Sequence, residues 1–332
     1  MITVAILGGG FMGASHAANY KALGGRVRVK TVASRPSARA ASVAESVGAD
    51  LIADLDGVIR DPEIDIVDVC LPTPLHREVT EAALAAGKHV FLEKPIALTL
   101  EDADAIVGAA ERSEGLFMVG LVLRFWPEYV ELRRRVAAGE LGRPLAVSTH
   151  RLSPPADWNE WMGDDAQSGG VPVDLLVHDF DQMNWLLGVP RRVYARAPVP
   201  GHVVAVVEYD GAHGVAEGSM AMPRSYPFSS NVRVLCEGGV AEYAFSAAPA
   251  EEGGNIGASA APRGLRLYPA DGEPVTVAVE SADPWGPEIA YFIECVEQGR
   301  QPEQGTGEQA RTALAVSLAA SRSLASGRPE DL

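Results

Sequence analysis

Residues 2–13 read Ile2-Thr3-Val4-Ala5-Ile6-Leu7-Gly8-Gly9-Gly10-Phe11-Met12-Gly13, and Ala14 to Leu23 continues in helix-compatible residues. Ile2 to Leu7 is almost wholly apolar, as in a strand of a parallel sheet buried on both faces. A glycine-rich turn between such a strand and a helix is the context that a dinucleotide fingerprint requires. Gly8 permits the tight turn, Gly10 lets the backbone approach a pyrophosphate, and Gly13 lets the helix pack closely on the strand. The helix N-terminus, with Phe11 and Met12 in its first turn, offers free N–H groups and a favourable dipole to phosphates. An ordinary glycine-rich turn is the plain alternative, and the flanking strand and helix weigh against it.

Outward from this turn, apolar runs alternate with helical patterns. Val27 to Ser34, Ile64 to Leu71, His89 to Leu92 and Leu116 to Leu123 read as strands, and Pro36 to Val47 and Glu78 to Ala86 as helices. Gly87 suits a helix C-terminus, and Thr99 reads as an N-cap with Asp102 three residues on. The alternation predicts an α/β domain over residues 1–122, a doubly wound parallel sheet of the Rossmann type. Residues 123–332 read differently. Strand-like segments recur near 143–151, 191–198, 202–210, 213–221, 231–237 and 239–245, several joined by short links such as Asp210-Gly211 and Gly238-Gly239. They predict an α+β domain on a mostly antiparallel, open sheet. One helix, Pro172 to Leu187, interrupts the strands, and Ser246 to Arg263 reads as a mobile loop. Glu288 to Glu297 and Glu308 to Ser326 read as closing helices, available to pack back on the first domain.

The 332 residues carry a net charge of −16, which disfavours nucleic acid or an anionic membrane as the principal partner. No apolar stretch approaches the length that spans a bilayer, and the first residues enter a strand directly, leaving no room for a signal peptide. Cys70, Cys236 and Cys295 are odd in number and match no zinc spacing. Free thiols, a reducing cytoplasm and no bound metal are the expectation.

Cofactor preference in dinucleotide folds is written at the end of the second strand, where an acid suits the 2′-hydroxyl of NAD and an arginine the 2′-phosphate of NADP. Here that segment is Val32-Ala33-Ser34-Arg35. Ser34 stands in the place of the acid, and Arg35 offers a charged, forked donor. NADP(H) is therefore favoured, with NAD(H) possible. Pro72, Thr73 and His76 after the strand at 64–71, together with Glu93 and Lys94, complete the expected cofactor surface.

Lys94 follows an apolar strand and precedes Pro95, which places it at a strand's carboxyl end and bars helical geometry. An ammonium there can stabilise a developing alkoxide. A solvent-facing surface charge is the plain alternative. A second group lies in Gly169-Gly170-Val171-Pro172-Val173-Asp174-Leu175-Leu176-Val177-His178-Asp179-Phe180-Asp181. At 100° per residue, Leu176, Phe180, Met183 and Leu187 form an apolar stripe, and Asp174, His178 and Asp181 share the opposite face. A carboxylate one turn from an imidazole can orient it for proton transfer, or can form a buried structural ion pair.

These motifs, with Arg124-Phe125-x-Pro127, Phe292-Ile293-Glu294-Cys295 and Gly299-Arg300-x-Pro302, span nearly the whole chain. In this order they resemble the Gfo/Idh/MocA family, the relatives of glucose–fructose oxidoreductase and inositol dehydrogenase. Ser34 departs from the commoner family pattern, as does Val171 after Gly169-Gly170. The resemblance implies a dehydrogenase or reductase of sugars or cyclitols, with Lys94, Asp174 and His178 as the catalytic group. It further implies a substrate hydroxyl between Lys94 and His178, with Arg124 and Trp158 or Trp161 lining the sugar pocket. Two alternatives stand beside it: a non-catalytic dinucleotide-binding regulator, and an enzyme for a dihydrodiol or a non-sugar ketone. The open sheet face predicts a homodimer or homotetramer.

Overall fold

The computed structural model describes residues 1–155, 160–247, 264–280 and 283–332. Strand and helix alternate through the first part: β1 (Ile2–Leu7), α1 (Phe11–Ala22), β2 (Val27–Ala33), α2 (Ala38–Val47), β3 (Asp50–Ile52), α3 (Leu55–Arg60), β4 (Ile66–Val69), α4 (His76–Ala85), β5 (His89–Glu93), α5 (Leu100–Arg112) and β6 (Phe117–Gly120). The strands form a six-stranded parallel sheet in the order β3-β2-β1-β4-β5-β6. Val4 to Leu7, Ile66, Val67 and Val90 to Leu92 are fully buried, because helices cover both faces of such a sheet. The strand order reverses between β1 and β4, and ligands of these sheets bind at the carboxyl ends beside that reversal.

The sequence places the start of α2 at Pro36. It begins at Ala38, because the Ser37 side chain accepts from the Ala40 N–H and fixes the cap there. The short β3 and α3 carry too few residues for a periodic signal and were not anticipated.

The chain continues with α6 (Pro127–Ala137), β7 (Pro144–Leu152), α7 (Asp165–Ser168), α8 (Val177–Leu187), β8 (Pro190–Val199), β9 (His202–Tyr209), β10 (Ala212–Ser219), β11 (Ser229–Cys236), β12 (Gly239–Ser246), β13 (Gly264–Pro269), β14 (Val275–Val277), α9 (Gly286–Gln298), α10 (Gly307–Ser326) and β15 (Glu330–Asp331). Among the described residues a nine-stranded sheet runs β14-β13-β12-β11-β7-β10-β9-β8-β15, antiparallel except where β7 meets β10. Its strands alternate as a half-buried sheet must. In β9, Val203, Ala205 and Val207 are buried, while Val204 and Val206 are 36% and 38% exposed. α8 lies on the buried face. A Cβ on Gly214 would stand 2.5 Å from Met183 Sδ, and one on Gly218 would stand 2.6 Å from Leu176.

The chain divides into two compact units, Met1–Val122 with Pro284–Arg311, and Leu123–Asp283 with Thr312–Leu332. Cys70, Cys236 and Cys295 are free thiols. Among the described residues no helix is long and apolar enough to cross a membrane. Trp158 and most of the loop expected at 246–263 lie outside the described residues.

Candidate active site

In the first unit the turn after β1 is built for an anion. Gly10 is the N-cap of α1, no side chain caps the helix, and a Cβ on Gly10 would meet nothing within 4 Å. The N–H groups of the first turn thus have no side-chain cap, and space lies open beside Gly10. Gly13 is enforced by contact, because a Cβ there would stand 1.9 Å from Gly8 O. Phe11 is 38% exposed and Met12 half-buried in the same turn. An open cradle of backbone donors with no competing side chain fits a pyrophosphate. Beyond β2, Ser34 is half-buried and Arg35 exposed, and Arg39 stands exposed in the first turn of α2. Arg39 escaped the sequence reading, although its place four residues after Arg35 could have revealed it.

Lys94 is half-buried immediately after β5. Its neighbours turn inward. Glu93 is 6% exposed and accepts the Lys94 backbone N–H on Oε2 at 3.1 Å. His76 is 1% exposed, with Nδ1 2.9 Å from Pro95 O and Nε2 2.9 Å from Leu71 O. Burial lowers the His76 pKa, while those carbonyls raise it. Both residues were expected on the cofactor surface. His76 braces the flanking loops through those two backbone carbonyls, whereas Glu93 gives one oxygen to the Lys94 N–H and turns the other to His16 Nε2 of α1 at 3.1 Å. Pro72 is half-buried and Thr73 buried at the start of the turn that leads into α4.

Also missing from the sequence reading is a buried group behind Lys94: His16 of α1, Asp68 of β4, Glu93 and Glu288 of α9, none more than 6% exposed. The signal was present in Ile66-Val67-Asp68-Val69, where a charge interrupts a core strand.

In the second unit the helix carrying Asp174 and His178 is not continuous. Gly169 and Gly170 adopt φ of 78° and 66°, two successive positive-φ residues that turn the chain into a π-helical turn over Val171–Leu175. The Leu176 N–H donates to Val171 O at 2.9 Å, five residues back, before α8 begins at Val177. A uniform 100° per residue therefore fails across this junction, and such π-bulges recur at functional sites. Asp174 sits in the π turn, 5% exposed. From Gly170 to Met183 every residue is buried except His178, which is half-buried.

Asp181, expected on the face of Asp174 and His178, accepts instead from Arg124, at 2.8 Å from both Nε and Nη2. Arg124, expected to line the sugar pocket, is 6% exposed and lies over the Trp185 ring at 5.3 Å. Burial raises the Asp181 carboxyl above the usual range although Arg124 lowers it. Arg151 and Asp179 form a second buried pair at 2.8 Å. Trp161 is half-buried in the short turn Glu160–Gly163.

Residues 2–121 match an oxidoreductase family model described by its NAD-binding Rossmann fold, and residues 129–242 match the GFO/IDH/MocA C-terminal domain. The chain is 27% identical to scyllo-inositol 2-dehydrogenase (NAD(+)) of Bacillus subtilis, over 100% of this chain and 96% of that protein. It is 30% identical to 1,5-anhydro-D-fructose reductase of Ensifer adhaerens, over 94% of this chain and 92% of that protein. The crystal structure of aldose-aldose oxidoreductase from Caulobacter crescentus, complexed with glycerol, superposes with a TM-score of 0.84 at 24% identity, covering 100% and 99% of the two chains. That likeness is one of fold.

Proposed function

The chain belongs to the GFO/IDH/MocA oxidoreductase family, and on that premise we propose that it oxidises a secondary alcohol, or reduces the ketone, of a sugar, sugar derivative or cyclitol. The observation that carries the proposal is His178, the one half-buried residue in a buried run, following Asp174 in a π turn. A titratable ring is thus brought to a surface by elements otherwise committed to the core. The glycine turn and the α1 N-terminus would hold a nicotinamide dinucleotide, which supplies or accepts the hydride. His178, oriented by Asp174, takes the hydroxyl proton as the carbinol C–H bond breaks and the C=O bond forms. Lys94 stabilises the alkoxide through its ammonium. In ketone reduction the same proton returns from His178.

Lys94→Ala tests this. It should bind dinucleotide as the parent does and lose turnover by about 10²–10⁴-fold. Undiminished turnover removes Lys94 from the mechanism and favours a different reaction.

NADP(H) is the preferred cofactor in this reading, with NAD(H) accommodated. Ser34 leaves no carboxylate to repel a 2′-phosphate, and neither Arg35 nor Arg39 is ion-paired among the described residues. The Bacillus relative is named for NAD(+), so Michaelis constants for the two cofactors decide the matter for this chain. A strong NAD preference, unmoved by Arg35→Ala, refutes it.

A second copy of the chain is proposed to cover the open sheet face, giving a homodimer or homotetramer. Val204, Val206, Val215 and Leu235 are 36–46% exposed there. Arg233, Glu242 and Arg266 stand opposite one another across β11, β12 and β13, so the face carries both charges and can meet its own copy.

A further inference from the structure

Behind the strand end that carries Lys94 lies an ionic cluster that the chemistry above does not use. His16 is fully buried on α1, and its Nδ1 lies 2.8 Å from Asp68 Oδ2. Its Nε2 lies 3.1 Å from Glu93 Oε1, within ion-pair range although poorly angled for a hydrogen bond. Cys70 Sγ is 3.4 Å from the same Nδ1, and the Phe91 ring meets the imidazole edge-on at 5.3 Å. Glu288 brings a third carboxyl group within 4.8 Å of His16 and Glu93. Tyr20, one turn further along α1, is also buried and faces Asp68, Cys70 and Glu288.

Carboxylate oxygens only accept, so an imidazole with one at each nitrogen carries both protons. The acidic surroundings act in the same sense: burial works to lower the His16 pKa, and Asp68 and Cys70 raise it well above the usual imidazole range. A shared metal ion fits less well. Ligands about 2.1 Å from a tetrahedral ion stand roughly 3.4 Å apart, longer than the Asp68–His16 contact.

Glu93 passes this restraint on. One oxygen faces His16 and the other accepts the Lys94 N–H, while the carbonyl just beyond Lys94, that of Pro95, lies against His76. The backbone is thus held on both sides of the lysine. We propose that His16 is a positioning residue for Lys94: by gripping Glu93 it sets the backbone from which the lysine reaches the reacting oxygen, and it ties that setting to α1, whose N-terminus forms the dinucleotide turn. This rests on the catalytic reading of Lys94 given above.

Histidine-labelled full-length protein tests the first link. At about pH 8, where a free imidazole is neutral, both ring nitrogens of His16 should show protonated 15N shifts, assigned by their loss in His16→Gln. A neutral ring overturns the proposal. Kinetics test the second link. His16→Gln and Glu93→Gln should each lower kcat on the order of 10²-fold, with the dinucleotide Kd held within about threefold. The double variant should be no slower than the slower single, because both act through one linkage. If His16→Gln fails to fold, Glu93→Gln, which keeps the His16–Asp68 pair, carries the kinetic test. An unchanged kcat in Glu93→Gln, or losses that multiply in the double variant, overturns the positioning role. Lys94→Ala run in parallel separates the two readings. If it retains turnover, the catalytic reading of Lys94 fails, and the 15N shifts still decide the state of His16.

Discussion

Asp181→Asn preserves the shape of a buried carboxylate and removes its charge. Its partner Arg124 keeps 4% of its side chain exposed and Asp181 keeps 2%, so water cannot replace the lost interaction. Burial raises the Asp181 carboxyl even with the guanidinium 2.8 Å away, which means that desolvation outweighs the attraction gained. Such a pair contributes little in net terms and is costly to break, because the remaining charge loses its bidentate carboxylate while staying buried. Removing one partner costs about 3–5 kcal/mol, and the lower end applies here because asparagine still accepts one hydrogen bond. For a unit of this size, about 2–4 °C per kcal/mol puts the loss at roughly 6–12 °C in the melting temperature of the second unit. Replacing both members, as Arg124→Leu with Asp181→Leu, should recover most of that loss. Differential scanning calorimetry of the two singles and the double closes the cycle. A melting temperature for Asp181→Asn within about 2 °C of the parent refutes the argument. So does a set of Arg124 variants that raise KM without touching stability, which would return Arg124 to the substrate.

Gly13→Ala places a Cβ 1.9 Å from Gly8 O, so the turn must open; dinucleotide Kd should rise at least about tenfold while the chain still folds, and unchanged fluorescence titrations would reject the cradle. The pKa of His16 is raised on folding, so its stabilisation is complete below about pH 6.5 and is lost as pH rises through the folded value. Tyr20 and Cys70, both pushed up by burial, act in the same direction at higher pH. Thermal stability of the first unit should therefore fall above neutrality, and His16→Gln should flatten that slope; an equal slope in both proteins contradicts the assignment. Val206→Glu with Val215→Glu puts like charges opposite each other on the exposed sheet face and should yield monomers by light scattering. A parent that is already monomeric at micromolar concentration disposes of the interface.

How much of this was legible beforehand depends on range. The sheet strands of the first unit and their order of appearance follow from apolar runs, and Gly8 to Gly13 identify their own turn through local sterics. Short elements such as β3 and α3 lack periodicity, and the π turn at Val171–Leu175 defeats any uniform helical wheel. Arg124 illustrates the limit at the site. Its motif suggests a place in the site, but nothing in that motif points to the buried pair it makes with Asp181, 57 residues later in the chain.

By itself the sequence determined the fold class, the family resemblance and the position of Lys94 at a strand end, because each is encoded by neighbours within a few residues. The tertiary structure alone decided what holds that lysine. His16, Asp68, Glu93 and Glu288 come from a helix, two strands and a second helix near the far end of the chain. No spacing rule links them, and their charges interact only because the parallel sheet removes water from the place where they meet.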